Sequence, residues 1–180
     1  LWIPAIAETQ VTEICNNQID DDGDGLVDCA DDDCLPGKFI SSGQTIGNSD
    51  GKENGFGDVD NDGDIDVFVA AINQPNQVWL NDGNGTFVDS GQLLGNSPSN
   101  ALQLADLDGD GDLDAFVSNG SNSGPPAMNK VWLNDGDGNF TDSGQNLGSY
   151  TSVSVQLADL DNDGDLDAFF SNGLNSTGQP

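Results

Sequence analysis

An aspartate ladder of the form Asp-x-Asp-x-Asp-Gly-x-x-Asp occurs four times in this chain, starting at Asp20, Asp58, Asp106 and Asp159. Carboxylates packed this closely repel one another unless a cation lies among them. A loop that alternates Asp with small residues turns successive carboxylates toward one point, and Gly at the sixth position permits the tight turn that a calcium loop needs. The ladders therefore constrain the chain to short loops around divalent ions, with the apolar segments between them left to form the scaffold.

The loops are set in a repeat. Leu104 to Gly120 returns almost unchanged as Leu157 to Gly173, and an earlier copy runs from Gly57 to Val69, so that the ladders recur after 48 and then 53 residues. A second half-repeat follows two of them, Val78-Trp-Leu-Asn-Asp-Gly-Asn-Gly-Thr-Phe87 and Val131-Trp-Leu-Asn-Asp-Gly-Asp-Gly-Asn-Phe140. Asn-Asp-Gly-x-Gly between an apolar run and a Phe reads as a β-hairpin turn. A third element, Ser-Gly-Gln followed by Leu-Gly or Ile-Gly, begins at Ser42, Ser90 and Ser143. One unit is then a strand such as 101–105, a metal loop, a strand such as 113–117, the Trp strand, the turn and the Phe strand. Four short strands per unit, with 24 glycines and only 34% hydrophobic residues, predict an all-β fold of tandem propeller-blade-like repeats.

In these motifs the chain resembles the FG-GAP/VCBS repeats, also found in integrin α-chain propellers, over roughly residues 38–173. The resemblance implies β-propeller blades whose aspartate loops hold calcium. The family normally forms seven-bladed propellers, whereas this sequence has three repeat loops, at 58–66, 106–114 and 159–167, and two complete Trp hairpins. The repeat region is expected over 37–180 and incomplete at both ends. Gly37 to Gln44 corresponds to the Phe strand of a blade without its Trp strand, and the segment from Asn175 stands where another Trp strand should begin. Three solutions fit: a fragment of a longer chain, a compact three-unit fold, or completion by a neighbouring molecule. The apolar segment Leu1-Trp-Ile-Pro-Ala-Ile-Ala7, within residues 1–12, is a candidate donor strand for the last of these, although it could equally pack on its own domain or form a tail.

The ligand positions follow from the spacing. In the first repeat loop they are Asp58, Asp60, Asp62 and Asp66, with the backbone carbonyl of Asp64. The second uses Asp106, Asp108, Asp110, Asp114 and the carbonyl of Asp112, and the third Asp159, Asp161, Asp163, Asp167 and the carbonyl of Asp165. The last carboxylate stands at the ninth position with a β-type run after it, unlike an EF-hand. Residues 13–36 form a separate Cys/Asp-rich motif that resembles a short metal-binding module of bacterial surface proteins. There Asp20, Asp22, Asp24, Asp28 and the carbonyl of Leu26 occupy the same register, and Asp31 and Asp33 could serve a further ion. Hard oxygen donors in a chain without His favour calcium over copper. About four calcium ions are expected, held by sixteen of the 32 acidic side chains. Extracellular modules of this type bind in the range of roughly 10⁻⁴–10⁻³ M, as scaffold ions.

The net charge of −29, with three lysines and no arginine, repels nucleic acid and anionic membrane surfaces. No apolar run is long enough to span a bilayer. The N-terminal segment reads as a mature terminus, and Cys15, Cys29 and Cys34 read as one local disulfide from Cys15 to either of the others, so the expected location is secreted, extracellular or at the cell surface. Sequons at Asn84, Asn119, Asn139 and Asn175 are candidate glycosylation sites. Trp79 and Trp132 could stack on sugars, but inside apolar strands they read first as core. With no His, no Arg, no activated nucleophile and no phosphate loop, catalysis is not expected. The functional expectation is a calcium-stabilised structural protein that self-assembles head to tail into a fibre or matrix. The alternative is an adhesin or glycan- or receptor-binding propeller module.

Overall fold

A computed structural model describes residue 19 and residues 42–47, 51–120, 127–148 and 150–173. The chain divides into two compact units, Leu1–Gly43 and Gln44–Pro180. All regular structure among the described residues lies in the second unit, and all of it is β.

Among the described residues ten strands form three antiparallel sheets in series. The first is β1 (Gly51–Gly57), β2 (Asp66–Ala71), β3 (Gln77–Asn81) and β4 (Phe87–Asp89), paired in that order. The second repeats it with β5 (Ser99–Ala105), β6 (Asp114–Asn119), β7 (Lys130–Asn134) and β8 (Phe140–Asp142). The third contributes β9 (Ser152–Ala158) and β10 (Asp167–Asn172) among the described residues. Each metal loop is thus the connection between the first and second strands of a blade, and each Asn-Asp-Gly turn joins the third and fourth. The tandem blade-like architecture matches the expectation from sequence. The expected half-blade at 37–44 lies mostly outside the described residues, and residues 42–46 form no strand.

The register shows why the repeat has its residues in that order. Trp79 pairs with Val67 and Trp132 with Ala115, while Val78 pairs with Phe68 and Val131 with Phe116. Because side chains alternate across a strand, these two sets face opposite neighbours. Phe68, Ala70 and Val78 of the first blade point forward into Leu102, Ala115, Val117, Trp132 and Phe140 of the second. Phe116 and Val131 then point forward into Val155, Ala168 and Phe170 of the third. Both faces of the middle strands are consumed, which explains β2 and β6 being buried throughout. Phe68 meets Phe140 edge to face with ring centroids 5.3 Å apart, and Phe116 stacks on Phe170 at 6.5 Å.

The glycine-rich β1 has a packing reason. A Cβ placed on Gly57 would lie 2.5 Å from Leu113 Cδ1, so the backbone itself is the surface against which the second blade closes. Trp132 belongs to this interblade core, 9% exposed.

A second polar device couples the blades. Gln44 donates from Nε2 to the Gly85 carbonyl at 2.6 Å and accepts from the Phe87 N–H at 2.9 Å. Gln92 does the same one blade on, donating to the Gly138 carbonyl and accepting from Phe140 N–H, both at 2.8 Å. The Ser-Gly-Gln element, unexplained by sequence alone, is a clamp on the hairpin of the following blade.

Replacing Phe68 with Ala is expected to cost about 3–5 kcal/mol, because the ring is fully enclosed between two blades. Denaturant unfolding at saturating calcium checks this. A loss below about 1 kcal/mol would show that the blades are not packed through this face.

Candidate metal centre

Each repeat loop brings carboxylate oxygens to one point. Oxygens of Asp58, Asp60 and Asp62 lie within 4.8 Å of one another, as do those of Asp106, Asp108 and Asp114, and those of Asp159, Asp161 and Asp167. The backbone is shaped for this by left-handed residues at two positions of every loop. The fourth is Asn61 at φ 60°, Gly109 at 83° and Asn162 at 62°, and the sixth is Gly63 at 97°, Gly111 at 98° and Gly164 at 101°. Only Gly and Asn take this conformation readily, so the fourth position, which sequence reasoning passed over, is constrained as tightly as the sixth.

Internal hydrogen bonds hold the carboxylates. The first-position aspartates accept from the sixth-position N–H: Gly63 to Asp58 at 3.0 Å, Gly111 to Asp106 and Gly164 to Asp159, both at 3.1 Å. The fifth-position aspartates accept from the seventh-position N–H, at 2.9 Å for Asp62 and 3.0 Å for Asp110 and Asp163. Among the expected side-chain ligands, Asp66, Asp110 and Asp163 fall outside the three closest groupings. The side chain of Asp112, expected to contribute only through its carbonyl, accepts from Asn61 Nδ2 of the previous blade at 2.8 Å. Asp20, Asp22, Asp24, Leu26, Asp28, Asp31, Asp33, the three cysteines and Asn175 lie outside the described residues.

The ninth-position aspartate has a role that the spacing did not reveal. Asp66 and Asp114 are buried, and each accepts two backbone N–H groups. One comes from the second loop residue, Val59 at 2.9 Å or Leu107 at 2.8 Å. The other comes from the end of the Trp strand, Asn81 at 2.8 Å or Asn134 at 2.9 Å. Asp167 makes the first of these bonds, with Leu160 at 3.0 Å. Asn134 completes the junction by donating Nδ2 to the carbonyls of Leu113 and of Val59 in the preceding blade, at 3.2 and 2.7 Å. The Asn that closes Val-Trp-Leu-Asn is therefore the bolt between strand, loop and neighbouring blade.

The donor set suits calcium. All side-chain ligands are hard carboxylate oxygens, and Asp58 Oδ1 is buried with no hydrogen-bond partner, an atom whose burial a cation would compensate. Loss of hydration, then repulsion from Asp66 and Asp62, raises Asp60 above the ordinary carboxylate value. Loss of hydration, followed by Asp110 and Asp114, raises Asp108. Both directions describe loops in which negative charge is crowded.

The hairpin turns show the opposite tendency. Asp82 is lowered by the N–H groups of Asn84 and Thr86, Asp135 by the N–H of Asp137 and the Asn139 amide, and Asp142 first by its hydrogen bond to Lys130, whose Nζ lies 2.9 Å away. Among the sequons, Asn84 and Asn139 are exposed in these turns, each bound to its turn aspartate. Asn119 does not fit the expectation of a glycan site. It is 3% exposed, accepts from Ser99 Oγ and donates to the Met128 carbonyl, which leaves the amide no path to solvent in the folded chain.

Antiparallel blades, each with an aspartate loop between its first two strands, define the class as a tandem repeat of the propeller-blade type. A family model described as FG-GAP-like repeat matches residues 58–117 and again 106–170, more than half of the chain, and the chain belongs to that family. No curated protein matches it. FG-GAP repeats are typical of extracellular proteins, and no helix among the described residues is long and apolar enough to cross a membrane.

Two outcomes are expected. Asp108→Asn should remove one bound calcium by native mass spectrometry, and with calcium at ten times the dissociation constant it should remove about 1.4 kcal/mol of calcium-dependent stability. An unchanged ion count together with an unchanged calcium affinity would exclude Asp108 as a ligand. Asp82, Asp135 and Asp142 have folded pKa values below the unfolded 3.8, so their stabilisation is present above that value and is lost as pH falls through the folded values. In a carboxyl-carbon NMR titration, Lys130→Met should move the Asp142 midpoint upward and leave Asp82 and Asp135 in place.

Proposed function

We propose that this chain is a secreted, calcium-stiffened structural protein that assembles with copies of itself into an extracellular fibre or matrix, and that it is not an enzyme. The observation that carries the reading is the third blade. Its Phe169 is 67% exposed, whereas Phe68 and Phe116 at the same blade position are 0% and 2% exposed. Among the described residues, β10 has no strand paired on the side where β3 pairs with β2 and β7 with β6.

Leu1-Trp2-Ile3 repeats the apolar-Trp-apolar pattern of Val78-Trp79-Leu80 and Val131-Trp132-Leu133. Donated by a neighbouring molecule in the register of those strands, it would set Trp2 opposite Ala168, as Trp132 stands opposite Ala115. Main-chain hydrogen bonds would supply affinity and the alternate side chains specificity. Calcium enters as a requirement, because copies carrying a formal charge of −29 repel until the loops are neutralised. The absence of His and Arg from the sequence and the commitment of the aspartates to loop geometry support the non-catalytic reading.

A second reading has one specific observation behind it. A cavity of about 100 Å³ at the seam between the first two blades is lined by Trp132, Lys130, Asp142, Asn76, Asn96 and Ser99. An aromatic edge among amide and hydroxyl groups suits a sugar, and would make the chain a glycan-binding module.

Sedimentation in millimolar calcium decides between them. Open-ended assemblies that disperse on chelation, and that are lost on deleting Leu1–Ala7 while the β-type circular dichroism persists, are the expected result. A calcium-loaded monomer whose tryptophan fluorescence responds to added glycans would replace the first reading with the second.

A further inference from the structure

The blade-to-blade contact is used twice among the described residues, and part of each of its halves is exposed on the outer faces of the first and third blades. The forward half is on the third blade, where Phe169 and Leu160 are 67% and 61% exposed. At the same positions, Phe68 and Val59 of the first blade are 0% and 1% exposed because the second blade covers them. The backward half is on the first blade, where Val67 and Val69 are covered but Phe56 and Ile65, at the end nearer the aspartate loop, are 65% and 52% exposed. Their counterparts in the second blade, Leu104 and Leu113, pack into the interblade core. In a chain this acidic, four large apolar side chains left out at two sites are a liability unless something covers them.

Polar groups point to the same pairing. Between the first two blades, Asn61 holds the left-handed fourth position of its loop and donates from Nδ2 to Asp112 Oδ1 at 2.8 Å and to the Gly136 carbonyl at 3.1 Å. Between the second and third blades this bond has no counterpart, because Gly109 stands at the fourth position. The third blade restores the asparagine, as Asn162, with φ 62° against 60° for Asn61. The residue equivalent to Asp112 on the first blade is Asp64. The forward edge thus carries the donor and the backward edge the acceptor.

We propose that the forward face of the third blade seats the backward face of the first blade of a second copy, with Phe169 and Leu160 packed against Phe56 and Ile65 and with Asn162 Nδ2 donating to Asp64. The occupant is a second copy because the chain itself carries both complementary halves at blade-equivalent positions. The contact is heterologous, so it propagates along one direction instead of closing as a two-fold dimer. This inference rests on the reading that the chain assembles with itself, but it names a face contact that is separate from addition of the Leu1–Ala7 strand.

Surface substitutions test it without threatening the fold, since the residues are exposed in the single chain. In millimolar calcium, Phe169→Asp and Phe56→Asp should each raise the concentration at which assemblies sediment by at least roughly tenfold. Mixing the two variants should restore one contact per pair, because each retains the half the other has lost. Asn162→Gly should raise the concentration needed for assembly roughly tenfold, as expected for one hydrogen bond to a carboxylate. Assemblies of both Asp variants indistinguishable from the unsubstituted chain would overturn the face contact. If those assemblies are still lost on deleting Leu1–Ala7, the strand reading stands alone. If the full chain is a monomer in calcium, both fail together.

Discussion

The buried aspartate at the ninth position of the first two repeat loops is the constraint on which the rest depends. Asp66 and Asp114 sit almost out of water with each oxygen accepting a backbone N–H, one from the loop and one from the Trp strand. A buried carboxylate left without such partners would cost several kcal/mol, so loop and Trp strand are obliged to arrive together. This ties the charge of the loop to the sheet. The candidate ion site, the β2 to β3 pairing and the position of the turn are one cooperative object.

From that junction the coupling passes outward by amides. Asn134 reaches back to Val59, Asn61 reaches forward to Asp112, and Gln44 and Gln92 hold the hairpins of the following blades. Amides suit the task because they bridge carboxylates and carbonyls without adding charge to a chain already carrying −29. The apolar contribution is concentrated between blades, in Phe68, Val78, Leu102, Val117 and Phe140, so each blade is stabilised chiefly by its neighbour. An array of this kind is a stack of interfaces, and its stability depends on how the terminal faces are covered.

Some of the site escaped the sequence for identifiable reasons. The ladder spacing marks every candidate ligand but not which oxygens converge, since backbone N–H groups compete with an ion for the same lone pairs. Asp66 lies outside its loop's closest grouping, while Asp114, which accepts the same pair of backbone N–H groups, and Asp167 remain within theirs. The sequon at Asn119 is indistinguishable in sequence from those at Asn84 and Asn139, yet it falls in a strand between two blades while they fall in turns. Glycine is read from sequence as flexibility, whereas Gly57 is present because Leu113 packs against the bare backbone.

The sequence by itself determined the all-β class, the blade repeat, the position of the aspartate loops and the oxygen-only ligand chemistry, because each follows from local spacing along one strand or turn. Only the tertiary structure decided which face of each strand meets which neighbour, that Ser-Gly-Gln and Val-Trp-Leu-Asn are interblade fasteners, and that Phe56 and Phe169 stand exposed. Those outcomes depend on contacts between residues about 40 to 75 positions apart, whose partners are set by the twist and stacking of whole sheets and leave no periodic trace in the chain.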